Sequence, residues 1–344
     1  DHRLQKTKKL KISLIKTIKR KVCLKLTFNF LHIQLIKDST MYLKNIFIIV
    51  ISLLMFSCAE NQKSSEDPII EGYWNRIGTI QLVNGIPVDT MLIKDSDNTD
   101  FKQVKVFKDG NMIWMNNQSD SLLPWKAGMG GYGKFKLNSL DSITEVNTNG
   151  TGWWGTAVKN YKDSLNLPGW TFGLKTNIEE NIYSQKNNPN SNFAELWERI
   201  PDLQTETPFD GAWKRVYEIS YVNGVAVDTT SVPNGSILDV KIFSNGYYTY
   251  HVDLTGFAEP DNPQYGGFGG HGTFEYNEEK NILTEYQEWG SGNNTQINDP
   301  RTSPDNHSIT FYNDDLYLQI SKTSVGTLQN SGADARGLVY KRIK

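Results

Sequence analysis

Two glutamates, Glu145 and Glu285, are the side chains in this sequence best suited to do chemistry. Each follows a threonine in a Thr-Glu pair, and each lies beside apolar residues with the spacing of a β-strand. A carboxylate that points into a β-fold needs a partner or a raised pKa. We therefore hypothesise that Glu145 and Glu285 orient a ligand. The alternative is that both are surface residues at strand ends.

Aromatic residues on two predicted hairpins are the other candidate ligand contacts. Trp114 lies on the return strand of the first hairpin, and Tyr248 and Tyr250 lie on the return strand of the second. Aromatic side chains combine a large contact area with a polar atom that fixes orientation. Because Tyr247 and His251 adjoin these tyrosines in the sequence, we expect at most one competent pocket, in the second half of the chain.

Motifs for catalysis and metal binding are missing from the sequence after residue 57. His251 and His271 occur in no His-x-His or His-Glu-x-x-His spacing, and no nucleophile motif such as Gly-x-Ser-x-Gly is present. We predict surface histidines, with His251 and Glu285 as an acid–base pair in the alternative interpretation. The predicted protein is not an enzyme and has no cofactor and no metal.

Two glycine-rich hexamers match the dinucleotide-binding fingerprint Gly-x-Gly-x-x-Gly by their letters. They begin at Gly128 and Gly267, and an alternating strand follows each of them, whereas the fingerprint requires a helix. Glycines that enter a strand are typical of a β-bulge or a barrel corner. The sequence therefore predicts a sharp backbone bend at both places and no nucleotide site.

The elements that must position these residues are duplicated, and such repeats indicate repeated structural units. The matching segments are Gly72-Tyr73-Trp74 with Gly211-Ala212-Trp213, Val83-Asn84-Gly85 with Val222-Asn223-Gly224, Val104–Gly110 with Val240–Gly246, and Trp197-Glu198-Arg199 with Tyr340-Lys341-Arg342. The offset between the two copies stays between 136 and 143 residues. We predict two domains of one fold, at 71–200 and 210–344, joined by a linker at 201–209.

A hydrophobic period of two predicts strands in both copies. Val240 and Ile242, for example, alternate with Asp239 and Lys241 before a tight turn. We expect each hairpin to have one apolar face, and we predict no amphipathic helix of three turns. A sheet with one apolar face must close on itself or pair with another sheet. The predicted fold is all-β, with two tandem antiparallel barrels, and a β-sandwich is the alternative.

The Gly-x-Trp motifs at Trp74 and Trp213 resemble the first-strand signature of the lipocalins, which are small antiparallel barrels. That family places an arginine of the last strand across this tryptophan, and Arg199 and Arg342 lie at the matching ends. The resemblance implies that each guanidinium stacks on an indole ring and plugs the closed end of a barrel. It further implies two lipocalin-like domains of the kind common in Gram-negative envelope lipoproteins.

The N-terminal region predicts export and lipidation. Residues 1–40 are rich in Lys and Arg without a helical or strand period, and we interpret them as sequence upstream of the true start. Residues 41–57 have a short positive end and an apolar core too short to span a bilayer, as in a signal peptide. The segment that ends at Cys58 resembles a bacterial lipobox. The resemblance implies lipid on Cys58, followed by a tether at 58–70.

Charge disfavours a nucleic-acid partner. After residue 57 the sequence carries 24 basic and 36 acidic residues, a formal charge of −12. The predicted partner is a membrane, through the lipid anchor, and the predicted location is the outer membrane, on its periplasmic face or at the cell surface. The sequence defines no oligomeric state.

The favoured function is an envelope-anchored binding or accessory lipoprotein that holds a small apolar or amphipathic ligand in a barrel. The alternative is a glycan- or protein-binding module with filled barrels, which would use Trp153 and Trp154 as a contact surface. A lyase or hydrolase is the least favoured of the three interpretations.

Overall fold

The computed structural model describes residues 70–96, 100–120, 123–186, 190–232, 238–253, 267–292, 304–322 and 333–344. The predicted upstream region at 1–40, the signal peptide at 41–57, Cys58 and the tether as far as residue 69 lie outside the described residues. In the part of the chain that the structure describes, no helix combines the length and the apolar character needed to cross a membrane.

The described strands form two antiparallel barrels, which confirms the predicted fold class and the internal repeat. Barrel 1 contains β1 (Gly72–Val83), β2 (Ile86–Leu92), β3 (Gln103–Lys108), β4 (Asn111–Asp120), β5 (Leu123–Ser139), β6 (Ser142–Thr151), β7 (Trp170–Glu179), β8 (Ile182–Lys186) and β9 (Phe193–Arg199). Barrel 2 contains β10 (Gly211–Val222), β11 (Val225–Ser231), β12 (Leu238–Ser244), β13 (Tyr247–Asp253), β14 (Gly267–Asn277), β15 (Ile282–Gly292), β16 (Asp305–Asn313), β17 (Leu316–Lys322) and β18 (Ala335–Ile343).

Closure comes from the pairing of the first strand of each copy with the last. β1 pairs with β9 and β10 pairs with β18, whereas β2 and β11 each pair with one strand, at the edge of the sheet. Each sheet therefore closes on itself, and the sandwich alternative is wrong. The short segment between β2 and β3 contains one turn of 3-10 helix, Ile93–Asp95.

Both faces of the β12–β13 hairpin are buried, so the prediction of a single apolar face was wrong. An Asn245-Gly246 turn with positive φ at both residues connects the strands and sets their register. In this register Lys241 pairs with Tyr250, and Ile242 pairs with Thr249. Paired residues share a face, so the alternating apolar residues of the two strands fall on opposite sides of the hairpin.

One end of each barrel is filled by an apolar core. The core of barrel 1 includes Trp74, Phe107, Met112, Ile143, Tyr183 and Trp197, and the core of barrel 2 includes Trp213, Phe243, Leu283, Tyr317 and Tyr340. Ile70 and Phe209 belong to these cores and are fully buried, although the sequence assigned them to the tether and the linker. Their carbonyl oxygens accept hydrogen bonds from the two indole N–H groups, at 2.7 Å from Trp74 and 2.6 Å from Trp213.

A third apolar cluster lies between the barrels, on the outer faces of corresponding strands. Its buried members are Tyr73, Val104, Val106, Ile113, Met115, Tyr132, Ala212, Val240, Ile242 and Trp289. The Tyr73 hydroxyl donates to the Ile242 carbonyl oxygen at 2.8 Å, and Asn149 Nδ2 donates to Asp253 Oδ2 at 2.7 Å. The two barrels therefore share a packed interface, which we call the inter-barrel interface.

The histidines of β13 and β14 lie in this interface, so the prediction of surface histidines was wrong. His251 is 1% exposed and His271 is 4% exposed. Burial lowers the pKa of each to about 4, because a charged imidazole loses its hydration there. The predicted grouping of Tyr247 and His251 with the candidate tyrosines does not form, since alternate residues of β13 point to opposite faces.

A helix, α1 (Gly152–Leu165), follows β6, contrary to the prediction that no such helix exists. Its Trp154, Val158 and Tyr161 are spaced to lie along one face, and its C-terminus ends at Asn166 in the left-handed conformation. Gly155 packs closely against the backbone of Gly150 on β6. The glycines that make the segment resemble a loop in sequence are what allow the helix to lie against the sheet.

Candidate functional site

On several strands of each barrel, the inward-facing residues change from apolar to polar along the strand. In barrel 1, β3 carries Phe107 in the core, then Lys105, then Gln103, and β6 carries Ile143, then Glu145. Because inward positions recur every two residues, this order produces layers across the barrel. The apolar core closes one end, a charged layer covers it, and an open cavity lies beyond the charged layer.

The charged layer of barrel 1 is a triad of Lys105, Glu145 and Gln185. Lys105 Nζ donates to Glu145 Oε1 at 2.9 Å and to Gln185 Oε1 at 3.0 Å, and all three side chains are buried. The ammonium group also lies 5.2 Å from the centroid of the Trp197 ring, directly over the apolar core. Burial raises the pKa of Glu145 in spite of the lysine, and the nearby Glu195 adds to this shift.

Barrel 2 repeats the triad with Lys241, Glu285 and Gln319. Lys241 Nζ donates to Glu285 Oε1 at 2.6 Å and to Gln319 Oε1 at 3.3 Å. A histidine without a counterpart in the barrel 1 triad, His307, places Nε2 at 3.4 Å from Glu285 Oε2. Burial acts to raise the pKa of Glu285, but Lys241 and His307 together outweigh it and lower this pKa to about 2.

The structure therefore places both candidate glutamates inside the barrels and not at strand ends. His251 lies on the outer face of β13, so it forms no acid–base pair with Glu285. The lysine partners were missed because Lys105 and Lys241 alternate with apolar residues and look like outward-facing side chains. The available signal was that the same lysine occurs at the same position of both copies.

The three candidate aromatic residues all lie on the inner faces of the barrels. Trp114 Nε1 donates to Asn147 Oδ1 at 2.9 Å, and at the matching place Tyr250 donates its hydroxyl to Gln287 Oε1 at 3.0 Å. Tyr248 stacks on Tyr250, with ring centroids 6.3 Å apart.

Glycines on β5 and β14 make room for these rings. A Cβ at Gly131 would collide with Trp114, and one at Gly270 would collide with Tyr250. The register of each strand also shifts beside the last glycine of its hexamer, between Tyr132 and Gly133 and between His271 and Gly272. Each hexamer thus has two structural roles. It contains a β-bulge, and its glycines form a flat surface on which an aromatic ring of the cavity lies.

The cavity of barrel 1 has a volume of ≈ 520 Å³ and is larger than that of barrel 2, which measures ≈ 390 Å³. Aromatic residues form much of its wall: Phe101, Trp114, Trp154, Phe172 and Phe193. Trp154 comes from α1 and stacks on Trp170 with centroids 5.2 Å apart. The side chain of Trp153 lies outside the described residues.

The cavity of barrel 2 measures ≈ 390 Å³, and more ionisable side chains line it than line the cavity of barrel 1. Seven of its lining residues carry ionisable charge: Arg215, Glu218, Asp239, Lys241, Glu285, Asp305 and Arg336. Tyr248, Tyr250 and Phe268 supply aromatic surface. Both barrels therefore have a cavity, which differs from the expectation of one pocket confined to the second half.

The arginine and tryptophan at the closed end of each barrel are in contact. The Arg199 guanidinium carbon lies 4.2 Å from the Trp74 ring centroid, and that of Arg342 lies 4.1 Å from Trp213. The glycine of each Gly-x-Trp motif is required by the same arrangement. Gly72 has φ of +118°, and a Cβ there would come within 2.6 Å of Arg199 Nη1.

Among the described residues, no group of three or more His, Cys, Asp or Glu side chains is arranged to hold a metal ion. Comparison with protein-family models and with curated proteins gives no match. A solved structure of an uncharacterized protein from Saccharomyces cerevisiae is similar over 80% of this chain and 98% of its own, with 8% identity and a TM-score of 0.33. A similarity of this size supports no inference about function.

Proposed function

We propose that the protein is a non-enzymatic, envelope-anchored binding lipoprotein in which barrel 1 holds a small amphipathic molecule. The observation that carries this proposal is the cavity of ≈ 520 Å³, whose wall is aromatic and whose base is the Lys105–Glu145–Gln185 triad. Its size falls within the range of small-molecule sites, roughly 300–1,000 Å³. The barrel fold is compatible with ligand binding of this kind.

The arrangement of the wall favours a ligand with a flat apolar body and a polar head. Trp114, Trp154 and Phe172 offer ring faces and edges to such a body. At the base, the triad offers both donors and acceptors to the head, in a setting from which bulk water is largely excluded. A purely apolar ligand would cover the charged groups of the triad without forming hydrogen bonds to them, which is unfavourable.

The lipocalin-like character and the lipid anchor belong to the same proposal. The contacts of Arg199 with Trp74 and of Arg342 with Trp213 support a lipocalin-like closed end. The signal-peptide pattern before Cys58 supports lipidation and the outer membrane as the location. The glycan- or protein-binding alternative required filled barrels, and the open cavities favour the small-molecule interpretation over it.

Binding can be tested on residues 59–344 with N-phenyl-1-naphthylamine, an amphipathic fluorophore. We expect saturable binding, and we expect Trp154→Ala to weaken it about tenfold, the equivalent of one aromatic contact of about 1.4 kcal/mol. Tyr312→Ala removes an aromatic side chain that is 55% exposed and is the matched control. Equal affinity in the wild type and Trp154→Ala would contradict the barrel 1 site.

Lipidation can be tested by the intact mass of the protein extracted from membranes. We expect a chain that begins at Cys58 and carries acyl groups, and we expect Cys58→Ala to release the protein or leave it unprocessed. A mature protein that begins at another residue and carries no lipid would contradict this part of the proposal.

A further inference from the structure

We propose that barrel 2 is a second binding site, for a neutral saccharide of one or two rings. This site goes beyond the amphipathic site of barrel 1 and uses different residues. The proposal rests on three features of the ≈ 390 Å³ cavity: its cations are all paired with carboxylates, a buried amide faces it without a partner among the described residues, and its aromatic surface comes mainly from tyrosines.

The cations that line barrel 2 are all engaged by carboxylates of the same cavity. Lys241 binds Glu285 at 2.6 Å, and Arg336 binds Glu218 at 2.5 Å. Arg215 lies between two carboxylates, 3.3 Å from Asp239 and 3.7 Å from Glu218. With these pairs formed, none of the described residues that line the cavity is an unpaired cation that could attract an anionic ligand. It instead presents many fixed donors and acceptors of both kinds.

Gln287 supplies the specific signal for a ligand. Its side chain is 3% exposed and lines the cavity, and its Oε1 accepts a hydrogen bond from Tyr250. Its Nε2 has no hydrogen-bond partner among the described residues. A buried amide N–H₂ without a partner is costly, by roughly 1–3 kcal/mol. An acceptor on a bound molecule would remove that cost.

Hydroxyl groups match this lining better than other polar groups do. Each hydroxyl is a donor and an acceptor, so a ring of hydroxyls can satisfy amide, carboxylate and guanidinium groups together without carrying net charge. The apolar face of a sugar ring packs on aromatic rings, and Tyr248 and Tyr250 lie nearly parallel, with 12° between their planes. Barrel 1 has Asn147 in place of Gln287, and its lining, among the described residues, has fewer ionisable side chains and no tyrosine, so it lacks this combination.

Maltose, cellobiose, lactose and N,N′-diacetylchitobiose can be titrated into residues 59–344 by calorimetry, with saturation-transfer NMR to detect weak binding. We expect one-to-one binding of at least one of these sugars. Gln287→Met keeps the length of the side chain and removes the amide, and we expect it to weaken binding by about tenfold or more. Gln81→Met makes the same change at an exposed residue of β1 and should leave the affinity unaltered.

Tyr250→Phe gives a second variant in case Gln287→Met does not fold, because it removes a single hydroxyl that orients Gln287. It should weaken binding in the same direction. Absence of binding by all four sugars, or wild-type affinity in both variants, overturns the proposal. The sugars should not displace N-phenyl-1-naphthylamine, so failure of the barrel 1 site and failure of the barrel 2 site give separate results.

Discussion

Barrel 1 and barrel 2 place a lysine, a glutamate and a glutamine in the same layer, yet the pKa values of the two glutamates are shifted in opposite directions. The pKa of Glu145 is raised, because burial outweighs its single lysine partner and Glu195 lies nearby. The pKa of Glu285 is lowered to about 2, because His307 joins Lys241. One added neighbour therefore decides in which direction the pKa of a buried carboxylate is shifted.

The two cavities also differ in the residues that line them. Tryptophan and phenylalanine supply the aromatic surface of barrel 1, whereas barrel 2 has mainly tyrosines and a larger number of ionisable side chains. The duplicated framework consists of the closed end, the triad and the glycine-rich strand, and it supports two linings that suit different ligands. The lysine, glutamate and glutamine of the layer above the core are the same in both copies, whereas most of the residues beyond that layer differ.

The largest expected effect concerns acid. His251 and His271 titrate at about 4 in the folded protein and near 6.5 when unfolded, so the unfolded chain binds more protons between these values. Stability should therefore rise with pH from about 4 to 6.5, and it should be lost as pH falls through that window, by several kcal/mol. Chemical denaturation across this range measures the slope.

The repeat supplies the matched variant for this experiment. The positions that correspond to His251 and His271 in barrel 1 hold Met115 and Tyr132, which are buried in the same interface. The double variant His251→Met/His271→Tyr should flatten the dependence between pH 4 and 6.5. Asp253 faces His251 and is unchanged in this variant. A slope that survives would assign the dependence to other groups.

The closed ends should respond alike in the two barrels. Trp74→Ala and Trp213→Ala each remove a fully buried indole and leave an arginine without its ring, at an expected cost of about 3–5 kcal/mol. Urea denaturation measures the loss. Tyr312→Ala, at an exposed position, should cost little. A large loss in one barrel and none in the other would show that the duplication is not energetically equivalent.

The triads should respond differently. Glu285→Gln removes the ionised partner of Lys241 and should cost about 3 kcal/mol at pH 7, since a buried ammonium is left without its counter-charge. Glu145→Gln should cost less, about 1–2 kcal/mol, because burial already disfavours the charged form of Glu145. Equal losses in the two variants, measured by denaturation at pH 7, would contradict the difference between the barrels.

An effect of the same order as that of Glu145→Gln is expected at the cavity glycines. Gly131→Ala and Gly270→Ala each force a methyl group against the ring of Trp114 or Tyr250, at a cost of about 1–3 kcal/mol. The displaced ring should also weaken binding in its own barrel and leave the other barrel unaffected. Titrations of each variant with the fluorophore and with a sugar measure this separation. Losses of binding in both barrels would indicate a global change of fold.

The sequence predicts the duplication, the strands and the tandem barrels, because the period of two and the fixed offset between copies are local signals. It does not predict the inter-barrel interface, since a strand buried on both faces looks like an ordinary amphipathic one. Val240 and Lys241 show the consequence: the apolar residue faces the other barrel, and the lysine faces the cavity. The buried histidines were mistaken for surface residues for the same reason.

The helix α1 was missed because propensity alone argues against it. Gly152 and Gly155 weaken a helix, and the segment owes its stability to tertiary packing of Trp154 and Tyr161 on Trp170. Such packing depends on a residue of β7 that is nine positions from Tyr161 and sixteen from Trp154. No window of sequence local to the helix contains this information.

The inter-barrel interface also constrains how the tandem protein could have arisen. A single barrel with this outer face would expose a contiguous apolar patch to water, and patches of that kind drive association. Corresponding strands of the two copies meet in the interface, as they would in a symmetric homodimer. Fusion of two such genes makes the partner permanently available at high effective concentration. In a homodimer one sequence must serve as both barrels. After fusion the two copies can change independently, so their interiors can acquire separate specificities.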